Sequence, residues 1–246
     1  MVREPGENRT RGILWMLATM FCFITLDAIM KHLMEHLHLV QVTWARFFFA
    51  TIVAIIVCGR RLPGLAISRH PKGQLLRSVF LMTTTGLFNA GIRTTPLATA
   101  TTIMFLNPVL VTILSIPILG EKVTASRWFG VFFGLLGALL VVRPWQEGLG
   151  AYGYGVLFLL LAAFFNANYQ ILTRQVRGDD PLTSLLYTAA AGAVVTSLMV
   201  PWFWTWPSAI EWLLLAGSGL AGGLGHLFLI RSFRSAPASV VAPFSY

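Results

Sequence analysis

Three charged side chains stand inside long apolar runs of this sequence: Asp27 and Lys31 in "LDAIMKHL", and Arg46 in "TWARFFF". A charge at the centre of a bilayer costs at least about 2.5–3.5 kcal/mol, so each is a candidate for function. Asp27 and Lys31 are four residues apart, acid before base, which places them on one helix face where they can pair. The pair either lines a cavity or is structural, with Lys31 snorkelling to water at the outer end of its helix. Arg46 could hold a carboxylate or phosphate in its planar fork, or reach the outer headgroups; the second use is preferred. Asn89, Asn107, Asn166, Asn168, Tyr169, Gln170 and His226 complete the polar set. A buried amide can bond a neighbouring helix, for about 0.6–2 kcal/mol, or meet a solute. Asn166 and Tyr169 share a face at a spacing of three and are the stronger cavity candidates. His226 is the one group of this set that titrates near neutrality.

Other patterns carry less. "HLMEH", with His32, Glu35 and His36, fits the H-x-x-E-H spacing of certain zinc peptidases, but no third ligand cluster accompanies it. A membrane-embedded, zinc-dependent peptidase is the enzymatic alternative, and a structural membrane subunit is the other. "GSGLAG" fits a dinucleotide fingerprint, yet it lies within an apolar run with no strand before it. Close helix packing explains it, as it does Gly130-x-x-x-Gly134 and Gly219-x-x-x-Gly223. Nothing in the sequence calls for a cofactor or a metal, and the chain is expected not to be an enzyme.

The elements that position these residues follow from composition. The 246 residues are 56% hydrophobic and 11% charged, against about 25% charged in soluble domains. Apolar runs long enough to span a bilayer cover roughly 12–34, 40–58, 75–92, 97–119, 126–142, 155–173, 182–204 and 210–230, and a ninth begins at Ala236. They are apolar on all sides, which disfavours a membrane barrel. With the N-terminus inside, fourteen of the eighteen Lys and Arg fall in inside segments, among them Arg3, Arg60, Arg61 and Arg77, and only Arg93 and Arg143 fall outside. This asymmetry sets the orientation and accounts for the net charge of +9 without nucleic acid. Cys22 and Cys58 both lie in apolar runs, so no disulfide scaffold is expected.

"FLNPVLVTILSIPILGEK", residues 105–122, places Asn107-Pro108 inside such a run. Irregular backbone at membrane depth is tolerated only where protein or a watery cavity surrounds it. Pro108 is therefore read as a hinge beside the cavity, or as a packing kink. "GIRTTPLATATTIMF" and "LIRSFRSAPASVVAPFSY" align through Pro96 and Pro237. Five spans separate the two copies, and a repeat of odd length sits inverted in the membrane, as in transporters with a midplane site.

"WARFFFATIVAIIV", "TTPLATATTIMFLNPVLVTILSIPILGEK" and "WFGVFFGLLGALLVV" together resemble the first EamA-type repeat of the drug/metabolite transporter superfamily. "LDAIMKHL" and "RFFFATIV" are similar, more faintly, to its S-adenosylmethionine and riboflavin uptake branches. The resemblance implies an all-α polytopic membrane protein of ten helices in two inverted five-helix repeats, about eight and a half of them present here. A central cavity would be lined mainly by the first four helices of each repeat. Residues 1–11 would form a cytoplasmic tail, 12–145 the first repeat and 152–246 the second, which stops about 39 residues short of the first. Glu121 matches a characteristic family glutamate, with a structural role in its loop ahead of proton coupling. The expected function is secondary transport of a small organic metabolite or drug-like solute across a bacterial inner (plasma) membrane by alternating access. Its partners would be the solute and the bilayer, without nucleic acid; a coupling proton and a homodimer are compatible additions.

Overall fold

The computed structural model describes residues 8–142 and 153–245. Arg3, Arg143 and Tyr246, which figure in the charge and repeat readings, lie outside them. The described residues form helices α1 (Arg9–Leu33), α2 (Leu39–Cys58), the short α3 (Leu62–Leu65), α4 (Pro71–Thr94), α5 (Leu97–Met104), α6 (Leu106–Leu119), α7 (Ala125–Val142), α8 (Tyr154–Gln175), α9 (Pro181–Met199), α10 (Ala209–Ser235) and α11 (Ala238–Val241). Among the described residues, six helical stretches are long and apolar enough to cross a membrane: Arg9–Leu33, Leu39–Leu65, Leu97–Leu119, Tyr154–Gln175, Pro181–Phe203 and Ala209–Ser235. Helices α4 and α7 occupy the other two positions in the expected order, α4 being diluted by Lys72, Arg77 and Arg93.

The chain divides into two compact units that do not follow the sequence repeats. One gathers 8–13, 80–142, 153–175 and 233–245; the other gathers 14–79 and 176–232. In the first unit, α5 and α6 pack on α8. Ala100, Ile103 and Leu159 form the buried contact. A Cβ on Gly91 would lie 2.6 Å from the Leu159 side chain, so these backbones approach as only glycine allows. In the second unit, α2 packs along α9. Leu26, Met30, Val42, Ala45 and Leu215 join α1, α2 and α10 in one apolar cluster.

The break in the 97–119 run falls at Phe105, not at Asn107-Pro108. The Phe105 N–H turns back to the carbonyls of Thr101 and Thr102, both at 3.1 Å, and α6 begins afresh at Leu106. Pro108 then sits in the first turn of α6, where a missing N–H has no helical partner to lose. Asn-Pro survives in an apolar segment because it opens a helix. At the other end, Gly120 takes φ +64°, a left-handed conformation that glycine adopts without steric cost. The Glu121 N–H then returns to the Ser115 carbonyl at 3.1 Å.

Helix starts recur in matched pairs. Pro96 before α5 has φ −55° and ψ 143°, and Pro237 before α11 has φ −56° and ψ 144°. His38 before α2 accepts from the Val40 N–H, and Asp180 before α9 accepts from the Leu182 N–H, both caps being extended. The two pairs are separated by nearly the same length of chain.

Candidate functional site

Arg46 lies on α2 among the second unit's helices, and it is buried. Its Nη2 is 3.1 Å from His226 Nε2 on α10. A guanidinium can only donate, so Nε2 accepts and the imidazole carries its proton on Nδ1. The Phe23 ring of α1 meets His226 edge-on at 4.9 Å. A Cβ on Gly222 would touch the Arg46 side chain and Leu26, each at 3.6 Å, which brings α1, α2 and α10 to one point. From α9 comes Thr188, which borders a cavity shared with Arg46, Ala50, Gly222 and His226 that has room for little more than a water molecule. The headgroup reading of Arg46 is therefore corrected: packing against α10 holds the side chain inside the protein.

Two further expectations change here. Asp27 and Lys31 do not pair: Lys31 is exposed, and Asp27 is half-buried and interacts electrostatically with Arg46 instead. Spacing along a helix permits that pair, but the neighbouring helix decides it. Arg77, taken as an inside-segment charge, is fully buried in α4 and donates to the Ser184 carbonyl and to Thr188 Oγ1 of α9. It lies within electrostatic reach of His226. The available signal was Pro71, a favoured first residue of a helix, which places Arg77 almost two turns inside.

The remaining candidates belong to the first unit. Asn107 is buried with its Oδ1 lacking a hydrogen-bond partner, and Pro108 beside it is also buried. Tyr169 is fully buried on α8, Asn89 is buried on α4, and Asn166 is half-buried. Asn168 turns back to the Phe164 carbonyl of its own helix. The candidates thus separate into two sets: Asp27, Arg46 and His226 around one junction, and Asn89, Asn107, Asn166 and Tyr169 in the other unit.

Glu121 has a defined structural task. Its Oε1 accepts from the Ala238 N–H at 3.0 Å, and its Oε2 accepts from the Ser239 N–H at 3.1 Å and Ser239 Oγ at 2.7 Å. These are orphan donors at the start of α11, where Pro237 offers no capping side chain. Arg174 Nε lies 3.8 Å from the same carboxylate while its Nη1 donates to the Phe233 carbonyl at 2.7 Å. Asp179 plays a comparable part in the second unit, gathering Ser68 Oγ at 2.5 Å, the Arg69 N–H at 2.9 Å and Gln74 Nε2 at 2.9 Å.

Comparison with known proteins adds the following. The profile of the EamA-like transporter family matches residues 10–143. The whole chain is 29% identical to an S-adenosylmethionine uptake transporter of Rickettsia prowazekii (strain Madrid E), covering 83% of that protein. Over 96% of its length it is 27% identical to a pseudopaline exporter of Pseudomonas aeruginosa (strain UCBPP-PA14), covering 82% of it. Over 96% it is also 26% identical to a riboflavin transporter of Vibrio cholerae serotype O1, covering 80% of that protein. A solved crystal structure matches with a TM-score of 0.80 at 18% identity, over 97% of this chain and 86% of that one, which shows the fold.

Proposed function

Because this chain belongs to the EamA-like transporter family, we propose that it carries its solute by alternating access around the Arg46–His226 junction of α1, α2, α9 and α10. It is a multi-pass membrane transporter of small metabolites. The relatives compared above are named as transporters and not as peptidases, and His32 and Glu35 are exposed side chains 3.5 Å apart. One observation carries the choice of site: a charged side chain in an apolar span is held inside the protein instead of reaching the headgroups. Such residues mark solute and ion pathways. Asp27 and His226 are the titratable groups of the junction to which a coupling proton could go, and the reading needs no second copy of the chain.

The same proposal places the protein in a bacterial inner membrane with its N-terminus in the cytoplasm. Trp44, Trp204, Trp206 and Trp212 cluster where α2 and α10 begin, as aromatic residues do at a membrane surface. Arg60 and Arg61 follow the opposite end of α2. Relatives are named for uptake and for export, so transport is to be sought in both directions.

The test uses proteoliposomes of the purified chain, incubated with S-adenosylmethionine, riboflavin and a bacterial metabolite extract, then washed and analysed by mass spectrometry. At least one small solute should be retained above protein-free vesicles and released when that unlabelled solute is added outside. Vesicles retaining none would contradict the proposal.

A further inference from the structure

We infer that the Arg46 junction selects solutes through a paired anionic and cationic group, as in an α-amino acid head, with the carboxylate on Arg46 and the cationic centre on Asp27. The inference deepens the transport reading above and rests on it. Its starting point is Asp27, a carboxylate within a membrane-length apolar helix. Among the described residues it makes no hydrogen bond and no ion pair. Lys31, one turn further on and able to neutralise it, is exposed and not joined to it. Asp27 does feel Arg46 electrostatically, yet among the described residues no ion pair joins the two. Opposite charges held apart in apolar surroundings are costly unless something joins them. A ligand carrying both charges in the reverse order can join them.

The geometry keeps both charges at one place. Asp27 follows Phe23 by four residues, so they share a face of α1, and the Phe23 ring lies against His226 at 4.9 Å. Leu26 and Arg46 meet over Gly222 of α10. The charged and titratable groups at the junction are Asp27 on α1, Arg46 on α2, Arg77 on α4 and His226 on α10. Their combined field discriminates. A simple anion is drawn to the guanidinium but repelled by Asp27. A simple cation is drawn to Asp27 but repelled by Arg46 and Arg77. Only a solute with both groups gains from each side, which is specificity through opposed charges. Arg77 touches no solute in this scheme; through its bond to Thr188 it positions a hydroxyl that borders the cavity.

The experiment measures thermal stabilisation of the full chain in lipid nanodiscs by matched triplets. Each consists of an α-amino acid, a derivative with the carboxylate amidated, which keeps only the cation, and a derivative with the amine acetylated, which keeps only the anion. At least one intact zwitterion should raise the melting temperature, with both derivatives about tenfold or more weaker, the loss expected for one charge-assisted contact. Arg46→Gln should abolish the preference for the carboxylate, and Asp27→Asn should admit solutes lacking the cationic group; the variants' own melting curves report their folding. Equal stabilisation by either singly charged derivative would overturn the inference, as would a panel in which no zwitterion binds. Vesicles that retain a solute without paired charges would also overturn it while leaving transport standing. Vesicles that retain no solute would remove both.

Discussion

Asn107 holds a buried amide oxygen with no hydrogen-bond partner, and such a group costs about 1–3 kcal/mol. A purely structural residue would not be expected to carry that cost. Asn107→Leu should therefore leave the melting temperature equal or higher while lowering transport several-fold, in paired unfolding and uptake measurements on the same preparation. Asp179 makes the opposite kind of prediction. Burial raises its pKa, but bonds from Gln74, Ser68 and the Arg69 N–H, with nearby His70, outweigh burial and hold it below the ordinary carboxylate value. A pKa lowered by folding contributes stability above the unfolded value, near 3.9, which is lost as pH falls through the folded one. Asp179→Asn should cost about 1–3 kcal/mol at pH 7. The difference should begin to close below about pH 4 and vanish only once the pH has fallen through the lower folded-state value, as read from melting curves across that range. At this scale the sequence marked Asp27, Arg46 and His226 because charge and imidazole stand out in apolar runs. It could not tell that Arg46 meets His226, 180 residues away, or that Asp27 ignores Lys31. Long-range partners leave no trace in local spacing.

Helices were legible because runs apolar on every side have one stable form in lipid. Their ends were less so. Span boundaries drawn by hydropathy began the third span at residue 75, whereas the helix starts at Pro71, and Arg77, just past that boundary, was counted with the inside-segment charges. The break near Asn107 was anticipated, but its position was displaced to Phe105 because proline is tolerated in a first turn. Packing of α10 on α2 is the element-scale reading most open to test. A Cβ on Gly219 would sit 2.2 Å from Phe49 Cβ and 2.9 Å from the Ala50 nitrogen. Overpacking of this kind costs about 1–3 kcal/mol. Gly219→Ala should lower the melting temperature by several degrees. Gly130→Ala, whose Cβ would lie 3.6 Å from Pro243, should leave it unchanged. The close packing expected of both glycine pairs therefore holds at Gly219 and is corrected at Gly130, where a Cβ meets only ordinary contact; equal effects at the two positions would contradict that distinction.

For the molecule as a whole, membrane class and helix order follow from composition, but the grouping of helices does not. In lipid each helix is apolar all round, so the pattern that would reveal a buried face in a soluble protein is missing. The two compact units, each drawn from both halves of the chain, could not be read for that reason. Orientation rests on the Lys and Arg distribution and is directly testable. In a background of Cys22→Ala and Cys58→Ala, an impermeant maleimide should label Arg61→Cys only from the cytoplasmic side and Glu35→Cys only from outside. The reverse pattern would invert the topology. Alternating access makes the more demanding claim that one central position faces each side in turn. Ala189 of α9 borders the cavity with Arg46 and His226. In the same background, Ala189→Cys in right-side-out and inside-out vesicles should react with an impermeant thiol reagent from both sides. Solute identified by the vesicle assay should protect it from each. Reaction from one side only, under every condition, or reaction indifferent to solute would contradict transport around this junction.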